Sequence, residues 1–157
     1  MLRISGFAAA LLLAACGGPK GSDTEFTSAL SASNEIPTNP STATATANYT
    51  VSGSTVSYTI TYSGLSGPPT QSHIHVGTET VNGGVVVPFT GLPAAASGTF
   101  SGTFDSTNVA AGTAGGVTIT KNDLNSLLNA MKNGQAYTNI HTTARPAGEI
   151  RGQILPK

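Results

Sequence analysis

Two neighbouring segments of the chain alternate between apolar and polar side chains with a period of two. In residues 42–51, alanine, tyrosine and valine occupy the odd positions, while threonine and asparagine occupy the even ones. Residues 56–63 carry valine, tyrosine and isoleucine at the even positions and serine or threonine at the odd ones. This period is typical of strands with one buried face, and the Gly53-Ser54 pair between the segments is a turn signal. The pattern therefore predicts an antiparallel hairpin.

Further strands are predicted along most of the remaining chain. They are residues 26–32, 72–76, 85–90, 98–104, 136–142 and 148–155. Clusters of glycine, proline, asparagine and serine separate these segments and indicate turns. Many short strands divided by turns predict an all-β fold, either an antiparallel β-sandwich or a closed barrel.

One segment follows a helical period instead. Its apolar stripe consists of Leu124, Leu127, Leu128 and Met131. Side chains at this spacing share one face of an α-helix. Thr120 is the predicted N-cap, with Asp123 three residues further on, and Gly134 ends the pattern. We therefore expect one short helix at about residues 120–133, packed against the sheet.

The N-terminal segment has the features of a secretory signal peptide. Arg3 precedes a mostly apolar run over residues 4–13, and small residues lead to the single cysteine in Leu13-Ala14-Ala15-Cys16. The run is too short for a bilayer core, which needs about 20 apolar residues. These four residues resemble the lipobox of bacterial lipoproteins, whose cysteine carries acyl chains such as palmitate after the signal is removed. The alternative is an ordinary signal peptide with a cysteine nearby.

The lipobox resemblance implies a division of the chain into three regions. Residues 1–15 are the expected lipoprotein signal peptide, 16–24 a lipidated tether and 25–157 a single domain. Several acyl chains on Cys16 would suffice for stable membrane attachment. The domain is therefore expected to be extracytoplasmic. Because Gly17 rather than aspartate follows Cys16, a Gram-negative cell would place it at the outer membrane, and other bacteria on the outer face of the plasma membrane.

The charge balance argues against nucleic acid as a partner. Lysine and arginine number seven, as do aspartate and glutamate, and no basic cluster occurs. Nucleic-acid binding depends on clustered basic side chains. The sequence also shows no Gly-rich phosphate loop between a strand and a helix and no nucleophile elbow. These observations favour a non-enzymatic protein.

Four short motifs together resemble the chordin-type domain, abbreviated CHRD, which occurs in chordin and in bacterial secreted proteins. The motifs are NEIP at residues 34–37, HIHVG at 73–77, YTNIHT at 137–142 and GEIRGQI at 148–154. Their order and spacing cover residues 25–155. The resemblance implies a β-rich binding or structural domain, and it supports the fold more than a particular function.

All three histidines lie within these motifs, at His73, His75 and His141. Residues i and i+2 of a strand share a face, so His73 and His75 project together, as do Asn139 and His141. If the two strands are neighbours, three imidazoles could hold copper or zinc, with Asn139 or Glu149 orienting a ligand ring. The alternative is a structural role, in which the histidines form hydrogen bonds to backbone or carboxylate groups.

Glu149 and Arg151 also share a predicted strand face, and we expect them to form a structural ion pair. Two functions follow from the sequence. The first is a membrane-anchored, non-enzymatic binding or structural domain that recognises an envelope protein or glycan. The second is a copper- or zinc-binding protein that uses His73, His75 and His141 and, with copper, could be redox-active.

Overall fold

The computed structural model describes residues 24–157, which contain eleven β-strands and one α-helix. The strands are β1 (Glu25–Ser31), β2 (Thr44–Ser52), β3 (Thr55–Ser63), β4 (Pro69–Val76), β5 (Val85–Pro88), β6 (Gly98–Asp105), β7 (Gly112–Ala114), β8 (Val117–Ile119), β9 (Ala136–Thr142), β10 (Arg145–Gln153) and β11 (Leu155–Pro156). Helix α1 (Leu124–Lys132) connects β8 to β9, and short 3-10 turns follow β1 and β6.

Nine of the described strands form one antiparallel sheet. Its order is β5-β4-β9-β10-β1-β2-β3-β6, with β11 paired to β1. The hairpin predicted from the alternating pattern is confirmed, because β2 and β3 pair in register from Ser52 opposite Thr55 to Thr44 opposite Ser63. Strands β9 and β10 lie in the middle of the sheet, so the C-terminal motifs occupy its centre.

The all-β prediction with one short helix is confirmed. The large sheet curls into a half-barrel, and β7 and β8 form a second, small sheet. Strands β5 and β6 are the two edge strands of the large sheet. Aromatic side chains on or near these two strands pack against one another. Phe89, directly after β5, lies with its ring centroid 4.4 Å from that of Tyr58 on β3 and 6.3 Å from that of Phe100 on β6. Packing of these rings joins the two ends of the curled sheet within the core.

The helix begins later than the sequence predicts. It starts at Leu124, and its N-cap is Asp123, whose carboxylate accepts hydrogen bonds from the backbone N–H groups of Asn125 and Ser126. Thr120 is therefore not the cap, because Asn122 has a φ of 57° and turns the chain before the helix can begin. The predicted end is confirmed, since Gly134 follows the helix with a φ of 63°.

The small β7–β8 hairpin was not expected from the sequence. Its strands are three residues long and rich in glycine and threonine, which gives too short an alternation to detect. The turn between them places both Gly115 and Gly116 at positive φ. Such a turn favours glycine because a side chain would clash there.

Candidate metal centre

One face of the sheet centre is polar, and strand pairing explains its composition. On β4 and β9, His73 lies opposite Asn139, and His75 lies opposite Tyr137. Directly paired residues of neighbouring strands point to the same face, so these four side chains lie together. The intervening Ile74 is fully buried on the opposite face. The predicted sharing of faces along both strands therefore agrees with the observed register.

The structure brings all three predicted histidines together. His73, His75 and His141 each offer a ring nitrogen, and these nitrogens all lie within 4.8 Å of one another. The ring centroids of His73 lie 5.4 Å from that of His75 and 5.2 Å from that of His141. His75 and His141 are buried, whereas His73 is partly exposed. The cluster thus has one side that faces solvent.

Backbone carbonyls fix the proton positions on the two buried rings. Nδ1 of His75 lies 2.9 Å from the carbonyl oxygen of Gly83, and Nδ1 of His141 lies 3.0 Å from that of Pro146. A carbonyl oxygen can only accept a hydrogen bond, so each Nδ1 carries the proton and donates it. In the neutral rings Nε2 is then an unprotonated nitrogen with its lone pair free to bind.

Asn139 faces both of these lone pairs with a single amide. Its Nδ2 donates to Nε2 of His141 at 2.8 Å, while its Oδ1 lies 3.1 Å from Nε2 of His75. With both rings neutral, the second contact joins two acceptors and forms no hydrogen bond. Rotating the amide by half a turn only moves the mismatch to the other ring. Asn139 can therefore donate to only one of these two lone pairs.

Burial keeps the three imidazoles neutral. It is the main cause that lowers the pKa of His73 to about 4, and the neighbouring rings of His75 and His141 lower it further. Burial also lowers the pKa of His75 and of His141, against the opposing effect of their bonds to backbone carbonyls. Protonation of His75, which would satisfy Oδ1 of Asn139, is thus disfavoured near neutral pH.

The arrangement shares features with histidine metal sites. Metal-bound histidines usually donate their second ring N–H to a carbonyl or carboxylate, as His75 and His141 already do. Three nitrogens around one tetrahedral ion would lie about 3.3 Å apart at ordinary zinc distances. To hold one ion, separations of up to 4.8 Å would have to shorten, and the amide of Asn139 would have to move from between the rings.

The two residues predicted to orient the histidines behave differently. Asn139 contacts His75 and His141 directly. Glu149 instead accepts hydrogen bonds from Ser41, Ser66 and Thr142, so the orienting role expected of it falls to the carbonyls of Gly83 and Pro146. Sequence patterns could not reveal these carbonyls, because every residue carries one.

The predicted ion pair between Glu149 and Arg151 is wrong. The carboxylate of Glu149 is surrounded by hydroxyl groups and one backbone N–H. The buried guanidinium of Arg151 donates to the carbonyl oxygens of Thr78 and Glu79 and to Oδ1 of Asn82. The β9–β10 pairing is irregular between Arg145 and Ile150, a stretch that includes Glu149, and the simple alternation of faces fails there. Each charge is therefore compensated by separate polar groups.

Tyr137 borders the cluster, on the strand face that it is predicted to share with Asn139 and His141. Its ring is stacked on that of His75 with centroids 4.9 Å apart and planes at 6°. From the other neighbouring strand, the guanidinium carbon of Arg151 lies 3.9 Å from the centre of the same ring. Its position two residues before Asn139 was the available signal, since it places Tyr137 on the same strand face.

The predicted lipidation site, Cys16, and the signal and tether up to residue 23 lie outside the described residues. Within residues 24–157, no helix has the length and apolar character needed to cross a membrane.

Comparison with known proteins identifies the domain. No curated protein and no solved structure matches the chain. The family model of the CHRD domain matches residues 26–154, which include the whole sheet centre and all three histidines. The match supports a binding or structural domain. The chain therefore belongs to the CHRD domain family.

Proposed function

We propose that this protein is a lipid-anchored, extracytoplasmic CHRD domain that binds one copper or zinc ion through His73, His75 and His141. The role is binding rather than catalysis. The proposal combines two independent parts, the metal site and the anchor, and each has its own test.

The mismatch at Asn139 is the observation that carries the metal site. His75 and His141 both present unprotonated Nε2 atoms to one amide, which can donate to only one of them. A buried acceptor without a donor costs about 1–3 kcal/mol. A metal ion that binds both Nε2 atoms removes this cost and keeps both bonds to the backbone carbonyls. In a purely structural cluster, the contact between Oδ1 of Asn139 and Nε2 of His75 would contribute no stability.

The donor set favours copper or zinc. Imidazole nitrogens suit both ions, and divalent copper is bound more tightly than zinc by most sites of this kind. Because His73 is partly exposed, we expect water to reach the ion from that side and to supply a further ligand.

Metal content of the purified protein tests the site. We would use the mature chain with Cys16→Ser, which removes both the lipid and a competing thiol, and measure bound metal after incubation with copper or zinc and removal of excess. We expect one ion per chain, and strong loss of binding in His75→Ala. Thr70→Ala is the matched control, because Thr70 is exposed on the same strand at an odd-numbered offset from His73 and His75, and so on the other face. Less than stoichiometric metal in the unmodified cluster would refute the site.

The bound ion should be released in acid. Protons compete with the metal for the same imidazole nitrogens. Because burial lowers the pKa of all three rings, the competition begins below the ordinary imidazole value of about 6.5. Metal content measured after equilibration at successively lower pH checks this expectation, and release already above that value would contradict it.

The anchor rests on Leu13-Ala14-Ala15-Cys16 and the short apolar run before it. We expect a bacterial host that expresses the full chain to incorporate a labelled palmitate analogue into it and to retain it in the membrane fraction. Cys16→Ser should remove the label and release the protein from that fraction. Equal labelling of the two forms would refute lipidation at Cys16 and leave the metal proposal untouched.

A further inference from the structure

We propose that a cavity beside the sheet centre, here called the Glu35 cavity, binds an aliphatic primary amine. The cavity has a volume of about 690 Å³ and lies among β1, β10, β11, the segment after β1 and the loop after β4. Its walls include Glu35, Ile36, Glu79, Gln153 and Leu155. None of these residues belongs to the histidine cluster, so the proposal does not depend on metal binding.

Glu35 provides the main observation. Its side chain is only 6% exposed, and its Oε1 is buried with no hydrogen-bond partner. The carboxylate lies directly over Gly148, where a Cβ atom would approach Oε1 to 2.7 Å. The absence of a side chain at Gly148 therefore makes room for this carboxylate. A buried acceptor without a donor is costly, so the position favours a ligand that supplies one.

Gln153 adds a second acceptor of the same kind. Its Oε1 is also buried without a partner. Its Nε2 donates to the carbonyl oxygens of Gly77 and Gly134 at 3.0 and 2.6 Å, so the amide cannot exchange its two ends without losing these bonds. Two unpartnered acceptors on residues that line one cavity favour a ligand that carries N–H or O–H donors.

The neighbouring guanidinium does not satisfy Glu35. Arg151 directs its terminal N–H groups to Asn82 and to the carbonyls of Thr78 and Glu79. Among the cavity walls, Glu35 and Glu79 are acidic and Arg151 is the only basic residue. The charge of the walls therefore favours a cation over an anion.

The remaining walls fit an aliphatic chain. Apolar surface comes from Ala29, Ile36 and Leu155. Leu155 is 48% exposed to solvent. Contact with a hydrocarbon chain would remove part of this surface from water. An ammonium group on Oε1 of Glu35 with an alkyl chain against Ile36 and Leu155 meets both requirements.

Binding should depend on pH in a defined direction. Burial raises the pKa of Glu35 to about 7, opposed by the positive charge of Arg151. The other ionisable groups near this carboxyl are Glu79 in the cavity wall and Tyr137, whose raised pKa partly reflects Glu35. An ammonium ion binds the carboxylate and not the carboxylic acid. Affinity should therefore rise as the pH increases through about 7, and binding below it should release a proton.

Calorimetric titration of the metal-free mature chain with Cys16→Ser tests the proposal, with n-butylamine as the probe. We expect binding of n-butylamine above pH 7, and much weaker binding of n-butanol and butyrate, which lack the positive charge. Glu35→Gln should weaken n-butylamine about tenfold or more and abolish the rise of affinity with pH. Glu25→Gln is the matched control, because Glu25 is an exposed glutamate on β1.

A second variant keeps the test independent of any effect of Glu35→Gln on folding. Leu155→Ala leaves the buried carboxylate in place and shortens only the apolar wall. It should weaken n-butylamine and leave methylamine unchanged. Preferential binding of butyrate, equal binding of n-butylamine to the Glu35→Gln form, or no binding of any amine would overturn the proposal. None of these outcomes affects the proposal that the three histidines bind a metal ion.

Discussion

Replacing Glu149 by glutamine should destabilise the domain strongly, although the two side chains have almost the same shape. The side chain of Glu149 is fully buried. Its carboxylate accepts four hydrogen bonds, from the hydroxyl of Ser41 at 2.7 Å, from the N–H and hydroxyl of Ser66 at 2.8 and 2.6 Å, and from the hydroxyl of Thr142 at 2.6 Å. Glu149 thereby joins three segments that are distant in the sequence.

The expected loss follows from these four bonds. A hydrogen bond to a charged group contributes about 1.5–3 kcal/mol and a neutral one about 0.5–1.5 kcal/mol, so removing the charge costs about 1 kcal/mol per bond. The amide of glutamine also turns one acceptor oxygen into a donor that faces hydroxyl groups. Easier burial of the neutral side chain offsets part of the cost. We expect Glu149→Gln to lower the free energy of unfolding by about 2–3 kcal/mol near neutral pH.

The difference should also depend on pH. Burial alone would raise the pKa of Glu149, but its hydrogen bonds to Ser66, Thr142 and Ser41 outweigh burial and lower it below the ordinary value. A carboxyl with a lowered pKa contributes stability above its unfolded pKa of about 4.3, and this contribution is lost as the pH falls through the folded pKa. The advantage of the parent protein should therefore shrink in acid.

Urea unfolding measures this directly. The mature chain with Cys16→Ser would be unfolded with and without Glu149→Gln, at about pH 7 and about pH 3. Glu25→Gln, at an exposed position, serves as the control and should change stability by less than about 0.5 kcal/mol. A loss at Glu149 below about 1 kcal/mol at neutral pH, or an equal loss at both pH values, would refute the reasoning.

Three further changes should affect stability in defined ways. Tyr49→Phe removes the partner of the buried Thr138 hydroxyl at 2.6 Å and should cost about 1–2 kcal/mol, with part of the loss recovered by adding Thr138→Val, as measured by urea unfolding. Asp123→Ala should cost about 1 kcal/mol through loss of the N-cap, whereas Thr120→Ala should be nearly neutral in thermal unfolding. Gly134→Ala should cost about 1–2 kcal/mol in the same assay, because its φ is 63°.

Each of these expectations can fail clearly. No recovery in the double variant of Tyr49 and Thr138 would show that the hydroxyl pair does not account for the loss. A larger effect at Thr120 than at Asp123 would restore the cap predicted from the sequence. Unchanged stability of Gly134→Ala would mean that the chain can leave the positive-φ conformation there without cost.

The sequence predicted the elements whose signals are local. The strict alternation of residues 42–51 and 56–63 corresponds to the paired strands β2 and β3, and the shared face of His73 and His75 follows from the same rule. The pairing of β4 with β9, which brings His141 to them, spans more than sixty residues of chain. Such a contact depends on topology, and a single sequence does not encode topology in local patterns.

The failures have the same physical origin. Glu149 and Arg151 look like an ion pair when only their spacing is considered, but their partners are Ser66 and Thr142 for one, and the loop after β4 for the other. The cap at Asp123 depends on the positive φ of Asn122, which no periodicity reveals. In each case a distant segment or a single backbone angle determines the partner or the cap, and the local sequence pattern is compatible with more than one.

The contact between Tyr137 and His75 would let the protein's own fluorescence report the metal binding that we propose. The chain has four tyrosines and no tryptophan, so its intrinsic fluorescence comes from tyrosine alone. Tyr137 is the tyrosine in ring contact with one of the three histidines. Divalent copper has a partly filled d shell and quenches an excited ring at contact range, whereas zinc has a filled shell and no redox chemistry. The tyrosine emission of the unlabelled protein should therefore fall when copper binds and change little when zinc binds. Fluorescence intensity would then distinguish the two ions.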